Sequence, residues 1–128
     1  MYNSAWYNSL NRPAFAPPNT IFMPVWSILY ILIFISLFVY LKGGIKNKIK
    51  GIVYFSIQMI LNFSWSYIFF ARQNILAALI TVALMWIFIF LNIIEFYKHS
   101  IISAILLVPY LIWVSFAICL NLGYYILN

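Results

Sequence analysis

The stretch TIFMPVWSILYILIFISLFVYL, Thr20 to Leu41, carries no charged side chain along its whole length, and its reading decides the fold. Spanning about 30 Å of hydrocarbon takes about 20 helical residues at 1.5 Å each, which residues 20–41 supply. Outward from it, three more stretches qualify, at about 52–70, 75–97 and 101–123. Each is bounded by Gly, Lys, Arg, Asn or His, the breakers and interfacial residues expected at span ends. Of the 128 residues, 67% are apolar and 6% charged. A soluble protein needs about a quarter charged, so water is not the solvent here. The reading is an all-α integral membrane bundle of four transmembrane helices. Its connections are too short for a second domain, which leaves one domain over residues 1–128.

Charge orients the bundle. The chain has seven basic residues, one acid (Glu95) and one histidine (His99). With four spans, the N-terminal tail, the loop at 71–74 and the C-terminus share one side, and the loops at 42–51 and 98–100 share the other. The second side carries Lys42, Lys46, Lys48, Lys50 and Lys98 against Arg12 and Arg72 on the first. The positive-inside rule makes the lysine side cytoplasmic. A net charge of +6 concentrated between apolar segments reads as membrane orientation, not as a nucleic-acid surface. Glu95, beside Lys98, is expected in an interfacial ion pair, and His99 has no metal partners. The single Cys119 cannot form an intrachain disulfide and is expected in packing. Residues 1–20 lack the basic start, apolar centre and cleavage site of a signal peptide, so Met1 is expected to begin the mature chain.

The first 19 residues differ from the rest. Pro13, Pro17 and Pro18 oppose regular helix, while Trp6 and Tyr7 suit the headgroup zone. This segment is expected to lie across the mouth of the bundle. A disordered tail is the alternative, at the cost of leaving large apolar side chains in water.

Side chains four apart share a helix face, and this sorts the unusual residues into stripes. Phe22, Trp26 and Tyr30 line up in the first span; Gln58, Asn62 and Ser66 in the second, with Trp65 beside Asn62 and Phe69 continuing the face; Tyr110, Trp113, Ala117 and Asn121 in the fourth. Buried amides must be paired in hydrocarbon, so the second stripe points inward, either bonding neighbouring helices or facing a ligand. Trp26 lies ~9 Å inside its span and Trp65 ~7.5 Å before the end of its own. With Trp113, three indoles are expected to converge in one leaflet beneath the loops carrying Arg12 and Arg72. Such a slot suits a flat aromatic molecule, with stacking worth about 0.5–1.5 kcal/mol per ring pair beyond area burial and guanidinium groups near the rim for carboxylates. Interfacial enrichment of Trp and Tyr explains part of the same pattern without a ligand, and suits Trp6 and Trp86 equally well.

Motifs for an enzyme are missing. The sequence has no metal-spaced His/Cys cluster, phosphate loop or paired carboxylates. Nor does it place an acid at mid-membrane depth, on which a four-helix proton-coupled exporter depends.

Three motif blocks carry a resemblance. Trp6-Tyr7-x-x-Leu10-x-Arg12-Pro13-x-x-x-Pro17-Pro18, followed by Phe22-x-x-Val25-Trp26-x-x-Leu29-Tyr30, resembles the first loop and second helix of the TspO/MBR (translocator protein, tryptophan-rich sensory protein) family. Gln58-x-x-Leu61-Asn62-x-x-Trp65-x-x-x-Phe69-Phe70-Ala71-Arg72-Gln73 resembles its third helix, and Pro109-Tyr110-Leu111-x-Trp113-x-x-Phe116-Ala117-x-x-Leu120-Asn121 its fifth. Order and spacing match over nearly the whole chain. The resemblance implies a prokaryotic plasma-membrane protein, usually a homodimer, that binds porphyrins such as protoporphyrin IX or heme between its helices under the first loop, with no other cofactor and no metal. It places Tyr30, Asn62, Trp65 and Ala117 at pocket-lining positions. Trp26 and Trp113 match two tryptophans linked in some bacterial members to light-dependent porphyrin breakdown. The expected ligand-binding set is therefore Phe22, Trp26, Tyr30, Asn62, Trp65, Tyr110, Trp113, Ala117 and Asn121, with Arg12 and Arg72 near the carboxylates. Binding or sensing is the leading reading; light-driven porphyrin oxidation through Trp26 and Trp113, and small-molecule transport, use the same slot.

The chain also departs from the family pattern. Members normally have a helix before the Trp-Tyr block, and this sequence starts just before that block. The cholesterol-binding pattern at the C-terminus lacks its basic residue, since Tyr124 and Tyr125 are followed by Ile126, Leu127 and Asn128. Ile80 and Thr81 stand where the family's fourth helix often carries an acid.

Overall fold

The computed structural model describes residues 5–14, 16, 19–42, 44 and 46–128. Phe15, Pro17 and Pro18 of the expected mouth-covering stretch lie outside the described residues, as do residues 1–4, 43 and 45. A short helix α1 (Ala5–Ser9) is followed by a 3₁₀ turn (Asn19–Ile21) that runs into α2 (Phe22–Leu41). Then come α3 (Ile49–Ser66), continued by a π-helical turn (Tyr67–Ala71), α4 (Ile75–Tyr97) and α5 (Ile101–Leu127). Among the described residues there is no strand, and four helices are long and apolar enough to cross a membrane: α2, α3 with its π turn, α4 and α5. The protein is an integral membrane protein.

Its interior is apolar, as in a soluble globule, but its outer surface is apolar too. Ser36, Gln58, Asn62, Asn92, Ser103 and Asn121 are buried, whereas Met23, Phe38, Ile60, Ile102 and Ile112 face outward. Lipid covers apolar side chains without loss, while a polar group there would lack a partner. Hydrogen bonds between helices follow. The Ser36 hydroxyl donates to the Ser103 carbonyl at 2.6 Å and the Ser103 hydroxyl to the Ser36 carbonyl at 2.7 Å, clasping α2 to α5. Asn92 Nδ2 donates to the Gly51 carbonyl at 3.4 Å, joining α4 to α3. Trp86 Nε1 donates to Ser115 Oγ at 2.8 Å, joining α4 to α5. The closest packing runs α2 on α5, α5 on α4 and α4 on α3.

Helix ends have local causes. Asn74 caps α4 by accepting from the Ala77 N–H at 3.0 Å, and Ser100 caps α5 by accepting from the Ser103 N–H at 3.2 Å. Pro24 is tolerated in the first turn of α2, where its missing N–H has no intrahelical partner anyway. Three boundaries differ from expectation: α2 starts at Phe22, after the 3₁₀ turn, α3 starts three residues earlier than 52, and α5 passes through Gly123 to Leu127. A glycine costs a helix roughly 0.5–1 kcal/mol, less than leaving its backbone unpaired near the hydrocarbon. Gly51 has a packing role, since a Cβ there would overlap the Tyr40 hydroxyl and ring. Cys119, expected in packing, instead lies exposed on the outer face of α5.

The two ends separate as the topology requires. At one, Glu95 Oε1 sits 2.9 Å from Lys98 Nζ and 3.6 Å from Lys50 Nζ, the expected pair with an added partner. At the other, the Asn11 N–H donates to Asn128 Oδ1 at 3.1 Å, Asn128 Nδ2 donates to the Asn11 carbonyl at 3.1 Å, and Asn11 Nδ2 donates to the Leu127 carbonyl at 3.2 Å. The N-terminal segment is thereby fastened to the end of α5, with Tyr7 buried beneath it.

Candidate ligand site

Three indoles from three helices meet at the mouth end. Trp26 of α2 lies 6.2 Å from Trp65 of α3 and 6.4 Å from Trp113 of α5, centroid to centroid, the second pair nearly perpendicular at 87°. Phe22 meets Trp113 edge-on at 6.0 Å. Each sits where the four-residue spacing of its stripe puts it. Between them is a cavity also lined by Tyr7, Phe69, Phe70, Phe116, Ala117, Leu120, Asn121 and Tyr124.

The cavity is nearly shut. The centre of a water molecule fits within only about 20 Å³ of it, whereas all the gaps between its walls, including what opens outward, come to about 350 Å³. The first figure measures what the closed site holds, which is about one water. The expected room for a planar guest is therefore absent in this state. Tyr7 explains much of the closure: its ring packs 5.3 Å from Tyr124, 5.5 Å from Phe70 and 6.1 Å from Phe69.

Two polar atoms on the wall stand out. Trp113 Nε1 and the Tyr124 hydroxyl are buried and have no hydrogen-bond partner among the described residues. A buried donor left unpaired costs about 1–3 kcal/mol. Trp65 Nε1, in contrast, donates to Asn121 Oδ1 at 3.1 Å, and Asn121 Nδ2 donates to the Ile75 carbonyl at 3.1 Å.

The expected site residues thus divide. Phe22, Trp26, Trp65, Trp113, Ala117 and Asn121 line the cavity. Tyr30, Asn62 and Tyr110 do not; they lie one turn deeper on their helices and bond each other. Tyr30 Oη donates to Asn62 Oδ1 at 2.6 Å, Asn62 Nδ2 to Tyr110 Oη at 2.7 Å, and Tyr110 Oη to Gln58 Oε1 at 2.7 Å. Of the two readings of the amide stripe, interhelical bonding accounts for these contacts. Arg12 and Arg72 are exposed outside the cavity wall. Arg72 borders a separate open groove with Gln73, Asn74, Tyr125 and Asn128.

A family model described as the TspO/MBR family matches residues 1–127. The chain belongs to the TspO/MBR family. It is 45% identical over 120 residues to tryptophan-rich protein TspO of Chlorobaculum tepidum, covering 92% of this chain and 76% of that one. It is 31% identical over 116 residues to tryptophan-rich sensory protein of Cereibacter sphaeroides, covering 91% and 72%. With translocator protein of Homo sapiens it shares 31% identity over 119 residues, covering 91% and 70%.

In this TspO/MBR protein the expected ligand-binding set missed Tyr7, Phe69, Phe70, Phe116, Leu120 and Tyr124 as wall residues, although the stripe spacing puts Phe69 on the inward face. Tyr124 follows Asn121 by three and Ala117 by seven, so it continues their stripe; ending the helix at Gly123 hid it. Phe70 adjoins Phe69 and in an α-helix would face away. The π turn, closed by the Arg72 N–H on the Tyr67 carbonyl at 3.1 Å, is wider and brings both rings to the cavity.

Proposed function

We propose that this protein binds, and through binding senses, porphyrins or similar flat aromatic molecules, held between its helices at the mouth end. The observation that carries the reading is the enclosure of one cavity by Trp26, Trp65 and Trp113, with two unpaired donors, Trp113 Nε1 and Tyr124 Oη, on residues of its wall. Rings offer stacking faces. The donors call for an acceptor on the guest, such as a porphyrin carboxylate. Family membership supports the same ligand class, and Arg72 in its neighbouring groove supports a second contact to charged substituents. Asn62, fully engaged within the bundle, acts in this reading by positioning Tyr30 and Tyr110.

Binding requires the mouth to open. A guest larger than water displaces Tyr7 from its place against Phe70 and Tyr124. In the same proposal the lysine-bearing end faces the cytoplasm, lipid surrounds α2 to α5, and a homodimer is the working assembly. The test is a titration of protoporphyrin IX into detergent-purified protein, followed by quenching of Trp fluorescence. Micromolar binding lost in Trp26→Ala and Trp113→Ala supports the reading; unchanged affinity in both rejects it.

A further inference from the structure

The lysine-bearing end, opposite the cavity, has a charge problem of its own. Lys42, Lys46, Lys48, Lys50 and Lys98 gather there, and the chain contains a single acidic side chain to meet them, Glu95. That carboxylate is already shared by Lys50 and Lys98. Lys48 is held by backbone and ring instead: its Nζ donates to the Lys42 carbonyl at 3.3 Å and stands 5.5 Å above the Tyr40 ring. Lys42 and Lys46 are exposed and make no ion pair among the described residues. No rearrangement of side chains can supply the missing anions.

The anions must come from outside, and the fold fixes where. Lys42 directly follows the last residue of α2, Lys48 directly precedes α3, Lys50 lies in the first turn of α3, and Lys98 directly follows α4. At 1.5 Å per helical residue, all four are within a few ångströms of the ends of apolar spans, at headgroup depth. Lysine stems reach along the interface to phosphate while their methylenes stay against apolar surface. Tyr40 and Tyr54 beneath Lys48 and Lys50 provide such surface.

We infer that this end is a binding surface for anionic phospholipid headgroups, with Lys42, Lys46 and Lys48 as the contacts that no protein carboxylate satisfies. Clustered lysines beside spans attract acidic lipid, an attraction that salt screens. Glu95 keeps Lys50 and Lys98 engaged and directs the lipid toward the α2–α3 connection.

The full chain is tested in micelles doped with phosphatidylglycerol or phosphatidylcholine, counting retained lipid by native mass spectrometry. Wild type retains phosphatidylglycerol preferentially, and the preference declines as ammonium acetate is raised. The triple variant Lys42→Gln/Lys46→Gln/Lys48→Gln loses about fivefold per lysine, and the Lys→Arg triple variant keeps the preference, which separates charge from misfolding. Arg12→Gln/Arg72→Gln, at the other end, leaves it unchanged. Equal retention of both lipids by wild type overturns the inference, as does a preference that survives the Gln triple variant or disappears with the arginines.

Discussion

Replacing Tyr7 by Ala should tighten and accelerate porphyrin binding, although it removes one of the most buried side chains in the protein. The closed cavity has room for about one water, so any guest must first move the Tyr7 ring away from Phe69, Phe70 and Tyr124. Three aromatic contacts at about 0.5–1.5 kcal/mol each amount to roughly 1.5–4.5 kcal/mol. That work is subtracted from the intrinsic affinity, because only the open fraction of molecules is competent to bind. At 1.4 kcal/mol per factor of ten, its removal should lower the apparent Kd roughly tenfold to a thousandfold, chiefly through a faster association rate. Stopped-flow quenching of Trp fluorescence by protoporphyrin IX, with wild type and Tyr7→Ala compared, measures both quantities. The spans should be unaffected, since the ring contacts of Tyr7 lie at the mouth, so far-UV helicity is the control. An association rate equal to wild type, or a weaker Kd with helicity intact, would refute the argument that Tyr7 is the plug.

Trp113→Phe keeps a ring in the wall but removes an unpaired N–H; it should weaken protoporphyrin IX binding by about 1.5–3 kcal/mol and leave etioporphyrin, which has no carboxylate, within twofold, as measured by the same titration. If the bound porphyrin is also consumed under light, Trp113→Phe should abolish the new absorption bands, while equal bleaching in empty micelles would assign the loss to solution photochemistry. Tyr110→Phe takes away the hydroxyl that joins Asn62 to Gln58, and hydrogen bonds in membranes are worth about 0.6 kcal/mol on average and up to about 1.7; unfolding in mixed SDS micelles should register a loss of roughly 1–3 kcal/mol, and a loss under 0.3 kcal/mol would mean that the network contributes nothing. Gly51→Ala forces Tyr40 off α3 and should cost roughly 1–3 kcal/mol of overpacking in the same assay, with Tyr40→Phe/Gly51→Ala no better unless the hydroxyl alone is the obstacle.

The spans were legible because hydropathy and length are read directly from sequence, and the convergence of the three indoles followed from helical spacing alone. What escaped depended on features that spacing does not encode. The π turn at Tyr67–Ala71 changes the angular step between residues, so Phe70 reached the cavity from a position where an α-helix would turn it away. Gly123 reads as a stop, yet in a membrane the chain keeps its ladder of hydrogen bonds through it, which carried Tyr124 into the wall. Tyr30, Asn62 and Tyr110 shared faces with the wall residues, and a stripe gives direction without depth. Their hydroxyl and amide groups found one another a turn below the rings. The N-terminal segment was expected across the mouth, but which of its side chains fills it was not legible, because α1 (Ala5–Ser9) is too short to show a periodic apolar face.

The bundle is built unequally from end to end, and the inequality bears on how it works. Toward the lysine end, Ser36 and Ser103 exchange hydrogen bonds, Tyr40 stacks on Phe96 at 3.9 Å, and Glu95 joins lysines from α3 and the end of α4. Interactions there cross between helices, and two buried amide atoms, Asn92 Oδ1 and, at the level of the Tyr110 network, Gln58 Nε2, have no hydrogen-bond partner among the described residues. Toward the mouth, ring contacts surround the Trp65–Asn121–Ile75 hydrogen bonds, two donors stay unpaired, and Asn11 and Asn128 tie the N-terminal segment to the end of α5. Ring contacts can slide with little loss, whereas a broken hydrogen bond in hydrocarbon leaves an unsatisfied group. Under the proposed function, opening should be cheapest at the mouth, with the Tyr30–Asn62–Tyr110–Gln58 chain marking the depth at which it stops. In the same proposal, a guest admitted past Tyr7 would meet that chain as a floor, confining it to the end of the bundle where the indoles are.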